Sequence, residues 1–474
     1  MENTARRSGA EATLRPHHSF AAEGGTYLYA AETGGLFRMD DGVRDALSAL
    51  ASSRAGAVPE GILADLRRVG LLGTEGGCGP AGRTAHPPLR LRTLVLMLTT
   101  SCNLACRYCY EDREEGCVPG SAAAAGSGAA REMPPESLRE SVGFLLDHSG
   151  ENRKVSIVLF GGEPLLRFPL LRAAVHEARA MAKARGKEIA FSLTTNGTLV
   201  TREIAGFLKE NGVSVCVSID GPREIHDVNR PYASGRGSYD DVERGIGNLM
   251  EHRNGVPLAA RVTLGRGAVD VRKTFRHLRG LGFDEVGFAP ASAAEGSSES
   301  LTEGELDAVT GGFRDLAAEY VDDVRDRRMP AFSNMTQILT LVHRGDPMPY
   351  PCGAGIGMLA ADPSGTFYPC HRLCGVGDSM GDPSRGIALD ARARFLDGAR
   401  RRRESACDDC WAKNFCGGGC YHDAYLRQGD LFAPSTHYCR WIKELFLLGL
   451  RTYVRIQNET PTFLEAVLGE RGIA

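Results

Sequence analysis

Short apolar runs alternate with longer amphipathic stretches through the middle of the chain. The strand-like runs are Leu94–Thr99, Val155–Phe160, Ile189–Thr194, Val213–Ile219, Ala259–Leu264 and Glu285–Ala289. Helical periodicity appears between and around them, over Glu136–His148, Leu170–Lys187, Arg202–Asn211, Tyr239–His252 and Val271–Leu281. Apolar strands alternating with amphipathic helices predict an α/β fold, a parallel sheet with crossover helices. Six such units are too few for a closed eight-unit barrel, so the pattern predicts a partial (β/α)6 barrel. Ligands in such folds sit at the C-terminal ends of the strands.

The flanks read differently. Residues 1–19 are polar and predict a mobile tail. Tyr27–Tyr29 and Gly35–Met39 predict two strands around a Gly-Gly turn, and Asp40-Asp41 opens a helix carrying Val43, Leu47 and Leu50. A second helix carries Leu63, Leu66 and Val69. Residues 20–73 thus form a small module, 74–90 a linker rich in Gly and Pro, and 91–335 the barrel. Gly120–Gly128 is a low-complexity insertion inside it. After the helical segment Leu301–Arg328 the pattern becomes irregular and rich in cysteine and glycine, giving a third unit over 336–445. A closing helix from about Arg440 to Ile456 leads into a C-terminal segment, 446–474.

Composition narrows the function. A length of 474 residues, 42% hydrophobic and 24% charged, fits about three globular domains. With 56 basic against 59 acidic residues the net charge is −3, which gives nucleic acid no electrostatic claim. The run Arg400–Arg403 reads as a solvated helix end. No segment approaches the roughly 20 apolar residues of a membrane span, and Met1–Ser19 lacks the apolar core of a secretory signal. These features predict a cytoplasmic, reducing location. Of 14 cysteines, eight fall between 352 and 439, a crowding that points to metal before disulfides.

The first strand runs into Thr99-Thr100-Ser101-Cys102-Asn103-Leu104-Ala105-Cys106-Arg107-Tyr108-Cys109-Tyr110. Three cysteines at i, i+4 and i+7 can ligate three irons of a [4Fe–4S] cluster and leave the fourth open. Zinc is the alternative, but no fourth ligand follows at finger spacing. This Cys-x3-Cys-x-aromatic-Cys after the first strand resembles the radical S-adenosylmethionine (radical SAM) superfamily. The resemblance implies that Cys102, Cys106 and Cys109 hold the catalytic cluster and that S-adenosylmethionine chelates the open iron. It further implies that one-electron cleavage gives a 5′-deoxyadenosyl radical, with Tyr108 against the adenine. Phe160-Gly161-Gly162-Glu163-Pro164 is similar to the family's GGEP, with the glycines admitting close backbone approach and Glu163 accepting from the methionine ammonium. Ser192, Asn196, Ser218 and Arg230, near the third and fourth strand ends, resemble ribose- and carboxylate-binding positions; each is also suited to a turn or helix cap.

The later cysteines run Cys352, Cys370, then Cys407-x2-Cys410-x5-Cys416-x3-Cys420, then Cys439. The spacing resembles the SPASM extension of peptide-modifying radical enzymes, which implies two auxiliary [4Fe–4S] clusters and three clusters in all. By that resemblance Cys352, Cys370 and Cys420 serve the first auxiliary cluster, and Cys407, Cys410, Cys416 and Cys439 the second. Two zinc sites are the competing reading. Two cubanes need eight ligands and the motif supplies seven. Either Cys374 is the eighth, or one iron stays open for a substrate thiolate, the reading preferred here. Cys216 reads as core, and Cys78 and Cys117 have no assigned partner. Sulfatase maturases carry an Asp as base directly after the second cysteine of this motif; here His371 stands there as the candidate base. The segments around Cys352, Cys370 and Cys420 resemble the quinohaemoprotein amine dehydrogenase maturases, which install thioether bonds in a small subunit. The N-terminal module resembles, more weakly, a winged-helix-like leader-recognition element, with a plain structural cap as the alternative. The expected function is radical modification of a ribosomally made peptide or small protein, forming Cys thioethers, with a reductant such as flavodoxin or ferredoxin. Carbon–carbon cross-linking and a non-catalytic metal-binding adaptor are the rivals.

Overall fold

The computed structural model describes residues 13–52, 58–73, 86–111, 131–253, 255–267, 269–294, 296–345 and 348–468. The low-complexity insertion, Cys78, Cys117, the first 12 residues and most of the expected linker lie outside them.

The N-terminal strands are β1 (Thr13–Leu14), β2 (His17–Ala22), β3 (Gly25–Ala30), β4 (Gly35–Met39) and β5 (Leu72–Gly73). β2, β3 and β4 form an antiparallel sheet with β3 in the middle, and β1 pairs with β5. Helix α1 (Asp41–Ala51), capped by the Asp40 carboxylate on the Val43 amide, and α2 (Glu60–Arg68) follow β4. The expected tail over residues 1–19 is therefore corrected from Thr13 on, where β1 and then β2 take up its end. Nothing in His17-His18-Ser19 alternates apolar with polar, and the strand is held by tertiary contact instead, His18 stacking on Trp411 at 4.3 Å. Alternation along β3 splits this small sheet between two cores. Leu28 and Ala30 pack with Leu47, Leu66 and Leu72, whereas Tyr29 and Ala31 join the main core.

The barrel strands are β6 (Thr93–Met97), β7 (Lys154–Phe160), β8 (Glu188–Thr195), β9 (Val213–Ser218), β10 (Leu258–Leu264) and β11 (Glu285–Pro290). All are parallel and adjacent in sequence order. Helices α3 (Pro135–Asp147), α4 (Phe168–Ala184), α5 (Arg202–Glu210), α6 (Arg223–Asn229), α7 (Tyr239–Glu251) and α8 (Val271–Gly280) make the crossovers. Period-two alternation sorts each strand. On β9, Val213, Val215 and Val217 are buried under the helices, and Cys216 and Ser218 line the lumen. The expectation that Cys216 is a core residue is thus corrected: its register places it inside the barrel mouth.

Helices α9 (Glu303–Arg325), opened by a Thr302–Glu305 capping box, and α10 (Ser333–Arg344) lead to the cysteine-rich segment. Its β12 (Met358–Ala361) pairs in parallel with β6, and β13 (Phe367–Tyr368), β14 (Gly381–Asp382) and β15 (Gly386–Ile387) continue the sheet to ten strands. The third unit is therefore an extension of the barrel sheet at its β6 edge. Helices α11 (Leu389–Ala406), α12 (Lys413–Cys416), α13 (Tyr421–Gln428), α14 (Thr436–Glu459) and α15 (Pro461–Leu468) complete the chain. The expected boundaries at 335/336 and 445/446 fall inside α10 and α14. The run Arg400–Arg403 lies on α11, and Arg402 is buried there, its guanidinium near the Gly419 and Leu431 carbonyls at 3.4 and 3.5 Å. That corrects the reading of the whole run as solvated. Among the described residues no helix is long and apolar enough to cross a membrane.

Candidate functional site

Cys102, Cys106 and Cys109 stand on the loop leaving β6. Burial, then the charge of Glu163 on Cys102 and of Glu111 on Cys109, and then the neighbouring thiols push Cys102 up to about 11 and Cys109 up to about 12, so the three thiols share one desolvated patch. The Leu104 amide donates to Cys102 Sγ at 3.4 Å. Gly161 and Gly162 clasp this loop from the end of β7. The Gly162 and Glu163 amides donate to the Thr99 and Ser101 carbonyls at 3.0 and 2.8 Å. Gly161 has φ +142°, and a Cβ on Gly161 or Gly162 would lie 2.4 or 2.3 Å from those same carbonyl oxygens. The backbone these glycines admit so closely is the cysteine loop itself. Both also line the cavity described below.

Glu163 is fully buried and spans two strand ends. It accepts from the Leu165 amide at 3.0 Å and the Thr195 hydroxyl at 2.8 Å on Oε1, and from the Asn196 amide at 2.7 Å on Oε2. Burial outweighs those bonds and raises its carboxyl to about 7. One lone pair of Oε2 stays open for a cation, whose charge would offset the desolvation. Asn196 spends its amide locally, donating to Asn103 Oδ1 at 2.9 Å and accepting from Thr198 at 2.7 Å. It positions the cysteine loop from the lumen wall. Ser192 is not among the residues that line the cavity; Thr194, two residues on, is.

At the end of β9, Asp220 and Arg230 form a buried ion pair at 3.1 Å. The Tyr108 hydroxyl donates to Asp220, and the Arg230 guanidinium lies 5.3 Å from the Tyr108 ring centroid. Neutral His226, pushed down to about 3 by burial, accepts from the Asp220 amide at 3.4 Å and donates to Ser238 at 3.0 Å. Ser238 in turn donates to the Arg230 carbonyl at 2.6 Å. Sequence reasoning missed Asp220. Its signal was present, an acid within the Ser218–Pro222 turn, but nothing along the chain announces that its partner is Arg230.

One cavity of about 980 Å³ takes in these strand ends and the extension. Cys102, Cys106 and Cys109 line it together with Cys407, Cys410, Cys416, Cys420 and Cys439. Within the extension the thiols fall into two groups. Burial and then the Cys420 and Cys352 thiols push Cys370 up to about 12, and Cys420 acts on Cys352. Separately, burial and then the thiols of Cys439, Cys407 and Cys410 push Cys416 up to about 11. Cys439 reaches this group from the first turn of α14. Cys374 stands beside the first group: its thiol donates to Met97 Sδ at 3.2 Å, toward the barrel sheet, lies 3.9 Å from the Cys370 carbonyl, and is pushed up by burial and then by the charges of Asp362 and Cys370. Among the described residues no three His, Cys, Asp or Glu side chains converge on a single ion. A cubane holds its thiolates farther apart than one tetrahedral ion does, and grouped buried thiols suit it.

Between the Cys102–Cys109 loop and the group of Cys352, Cys370 and Cys420 runs a polar wall. His371, pushed down to about 3 by burial and Arg372, packs on Phe160 at 4.4 Å. Tyr110 sits 5.3 Å from His422 and under Arg372 at 5.0 Å. His371 Nδ1, His422 Nδ1 and the Tyr110 hydroxyl are buried without a hydrogen-bond partner among the described residues.

Residues 96–288 match the family model of the Radical SAM superfamily. The cysteine-type anaerobic sulfatase-maturating enzyme of Clostridium perfringens (strain 13 / Type A) is 30% identical over 389 residues, covering 78% of this chain and 99% of that one. The chain belongs to the radical SAM superfamily. It is homologous to the anaerobic sulfatase-maturating enzymes, and membership implies S-adenosylmethionine and a [4Fe–4S] cluster. This radical SAM enzyme also matches the structure of native anSMEcpe with bound AdoMet and Kp18Cys peptide, with TM-score 0.63, 21% identity, and coverage of 78% and 99% of the two chains. Streptococcus suis SuiB bound to the precursor peptide SuiA gives TM-score 0.50 at 15% identity, covering 90% and 99%. The two structural matches are likenesses of fold.

Proposed function

We propose that this radical SAM enzyme matures a ribosomally made peptide or small protein by joining a cysteine sulfur to an unactivated carbon. The observation that carries the reading is the shared cavity: Cys102, Cys106 and Cys109 line one space with Cys420 and with Cys407, Cys410, Cys416 and Cys439 of the extension. A substrate in that space meets both. Cys102, Cys106 and Cys109 would hold the catalytic cluster, Cys352, Cys370 and Cys420 the first auxiliary cluster, and Cys407, Cys410, Cys416 and Cys439 the second. When bound, the catalytic cluster and S-adenosylmethionine supply a 5′-deoxyadenosyl radical.

The chain's residues then have distinct tasks. Tyr108 and Arg230, locked by Asp220, wall the S-adenosylmethionine subsite with Ser218, and Glu163 receives the ammonium. His371 offers Nδ1 to the thiol proton. The reaction would balance as a two-electron oxidation of the substrate, which gives up one C–H hydrogen, one thiol proton and one electron for the C–S bond formed; bound S-adenosylmethionine and the clusters would supply the oxidising equivalents. Cys352, Cys370 and Cys420 would hold the first auxiliary cluster with one position free for a substrate thiolate, a reading supported by the Cys374 thiol being directed at Met97 Sδ. The outer edge of β4 has no strand partner among the described residues, which suits leader capture by strand addition. A flavodoxin or ferredoxin of the cytoplasm would supply the electron.

Anaerobic reconstitution followed by co-expression with a cysteine-bearing precursor tests the proposal. The expected outcome is well over about eight irons per chain, 5′-deoxyadenosine on reduction with S-adenosylmethionine, and a peptide that has lost two hydrogens and one alkylatable thiol. A peptide that loses two hydrogens with every thiol still alkylatable would replace the thioether by a carbon–carbon bond. Absence of 5′-deoxyadenosine would leave only a metal-binding adaptor.

A further inference from the structure

The segment between Cys410 and Cys416 is Trp411-Ala412-Lys413-Asn414-Phe415, and the N-terminal sheet grips it residue by residue. Trp411 stacks on His18 of β2 at 4.3 Å with 14° between the planes. Phe415 is sandwiched, stacking on Tyr29 of β3 at 4.8 Å and on Phe446 of α14 at 4.7 Å. The Asn414 amide donates to the Ala31 carbonyl, and its oxygen accepts from Arg403. Lys413, whose side chain is only 7% exposed, pairs with Glu32 at 2.5 Å and donates to the Asp408 carbonyl at 2.9 Å. The module found near the start of the sequence is thus built into a loop nearly 400 residues later that carries two of the extension's cysteines.

We propose that the N-terminal module braces the loop of the second auxiliary cluster and tunes that cluster's reduction potential through the Glu32–Lys413 ion pair. The proposal rests on the reading that Cys407, Cys410, Cys416 and Cys439 hold a [4Fe–4S] cluster. A buried ammonium requires a counter-charge, and the one with the shortest contact comes from the other module. Lys413 lines the same cavity as the four cysteines. Reduction adds an electron to the cluster, so a local positive charge favours the reduced state and a neutralised one does not. Glu32 therefore holds the potential down. A strand or leader peptide that shifts β3 would carry Ala31 and Glu32, which follow it directly, along with it, linking the module to electron acceptance.

Redox titration of the reconstituted full-length enzyme, followed by electron paramagnetic resonance, reads each cluster separately. E32Q leaves Lys413 only the more distant Asp408 carboxylate at 3.9 Å and should shift the midpoint of one auxiliary cluster positively. An increase of about tenfold in its reduced-to-oxidised ratio at fixed potential corresponds to about 59 mV for one electron. E32D, which keeps the charge, should stay near wild type, and E32Q/K413M, which removes both charges, should return toward it. A purely mechanical brace predicts the same midpoint in all four proteins, and that result overturns the electrostatic coupling. So does a shift confined to the cluster whose signal changes on adding S-adenosylmethionine. Should E32Q lose the cluster, the E32Q/K413M protein still decides: a midpoint far from wild type overturns the proposal. Wild-type enzyme with about eight irons or fewer fails at an earlier step, overturning the three-cluster reading and this proposal with it.

Discussion

Replacing Asp220 by Asn isolates one charge at the heart of the site. The side chains of Asp220 and Arg230 are 0% and 8% exposed and meet at 3.1 Å. Asp220 Oδ1 also accepts the Thr263 amide at 3.0 Å, and Oδ2 accepts the Tyr108 hydroxyl. Asparagine keeps this shape and, with the Tyr108 hydroxyl turned to accept, the hydrogen bonds as well. The loss is the negative charge opposite Arg230, and a buried charge left unpaired costs about 3–5 kcal/mol. A cooperative unit of the barrel's size, about 245 residues, unfolds with roughly 0.5 kcal/mol per kelvin of entropy, so D220N should melt about 6–10 °C lower. Anaerobic calorimetry of the cluster-loaded enzyme measures it. D378N provides the contrast, because Asp378 and Arg394 are 56% and 64% exposed, and such pairs contribute at most about 1 kcal/mol. The same D220N protein should bind S-adenosylmethionine more weakly, since Tyr108 and Arg230 both line the cavity. A D220N melt within about 2 °C of wild type would refute the reasoning that this pair locks the strand ends.

Three further predictions follow from the same geometry. Burial raises Glu163 to about 7, so the folded chain holds its proton more tightly than the unfolded chain. Its contribution to stability is complete below about pH 4.5 and is lost as the pH rises toward about 7. E163Q should flatten that part of a pH–stability profile, and an unchanged slope would contradict the assignment. In G162A the new methyl would lie 2.3 Å from the Ser101 carbonyl; iron analysis should show about four irons fewer per chain, and an intact cluster that responds to S-adenosylmethionine would count against the clasp. C374A should keep the wild-type iron content because its thiol faces Met97; loss of an auxiliary cluster would make Cys374 the eighth ligand.

Much of this enzyme was legible along the chain because the barrel is built from local signals. Each strand and crossover helix carries its own periodicity, and each functional turn follows its strand in sequence, so Cys102–Cys109 and Gly161–Glu163 could be read in place. The family resemblance sorted the later cysteines into two groups; in space the Cys420 and Cys352 thiols act on Cys370, and those of Cys439, Cys407 and Cys410 on Cys416. The lumen position of Cys216 was missed because alternation shows two faces of a strand without saying which is inside.

The sequence by itself determined the barrel, its order of strands and the residue types of the radical site, since hydrophobic period and cysteine spacing are short-range properties. Tertiary structure decided the pairings across distance. Asp220 finds Arg230 only when the turn after β9 folds back through α6, and Glu163 joins β7 to β8 only when those strands lie side by side. His17–Ser19 become a strand because Trp411 lies opposite, and Lys413 is buried because Glu32 arrives from the other end of the chain. Partners of this kind lie far apart in sequence, and a buried charge or ring is defined by what surrounds it in space.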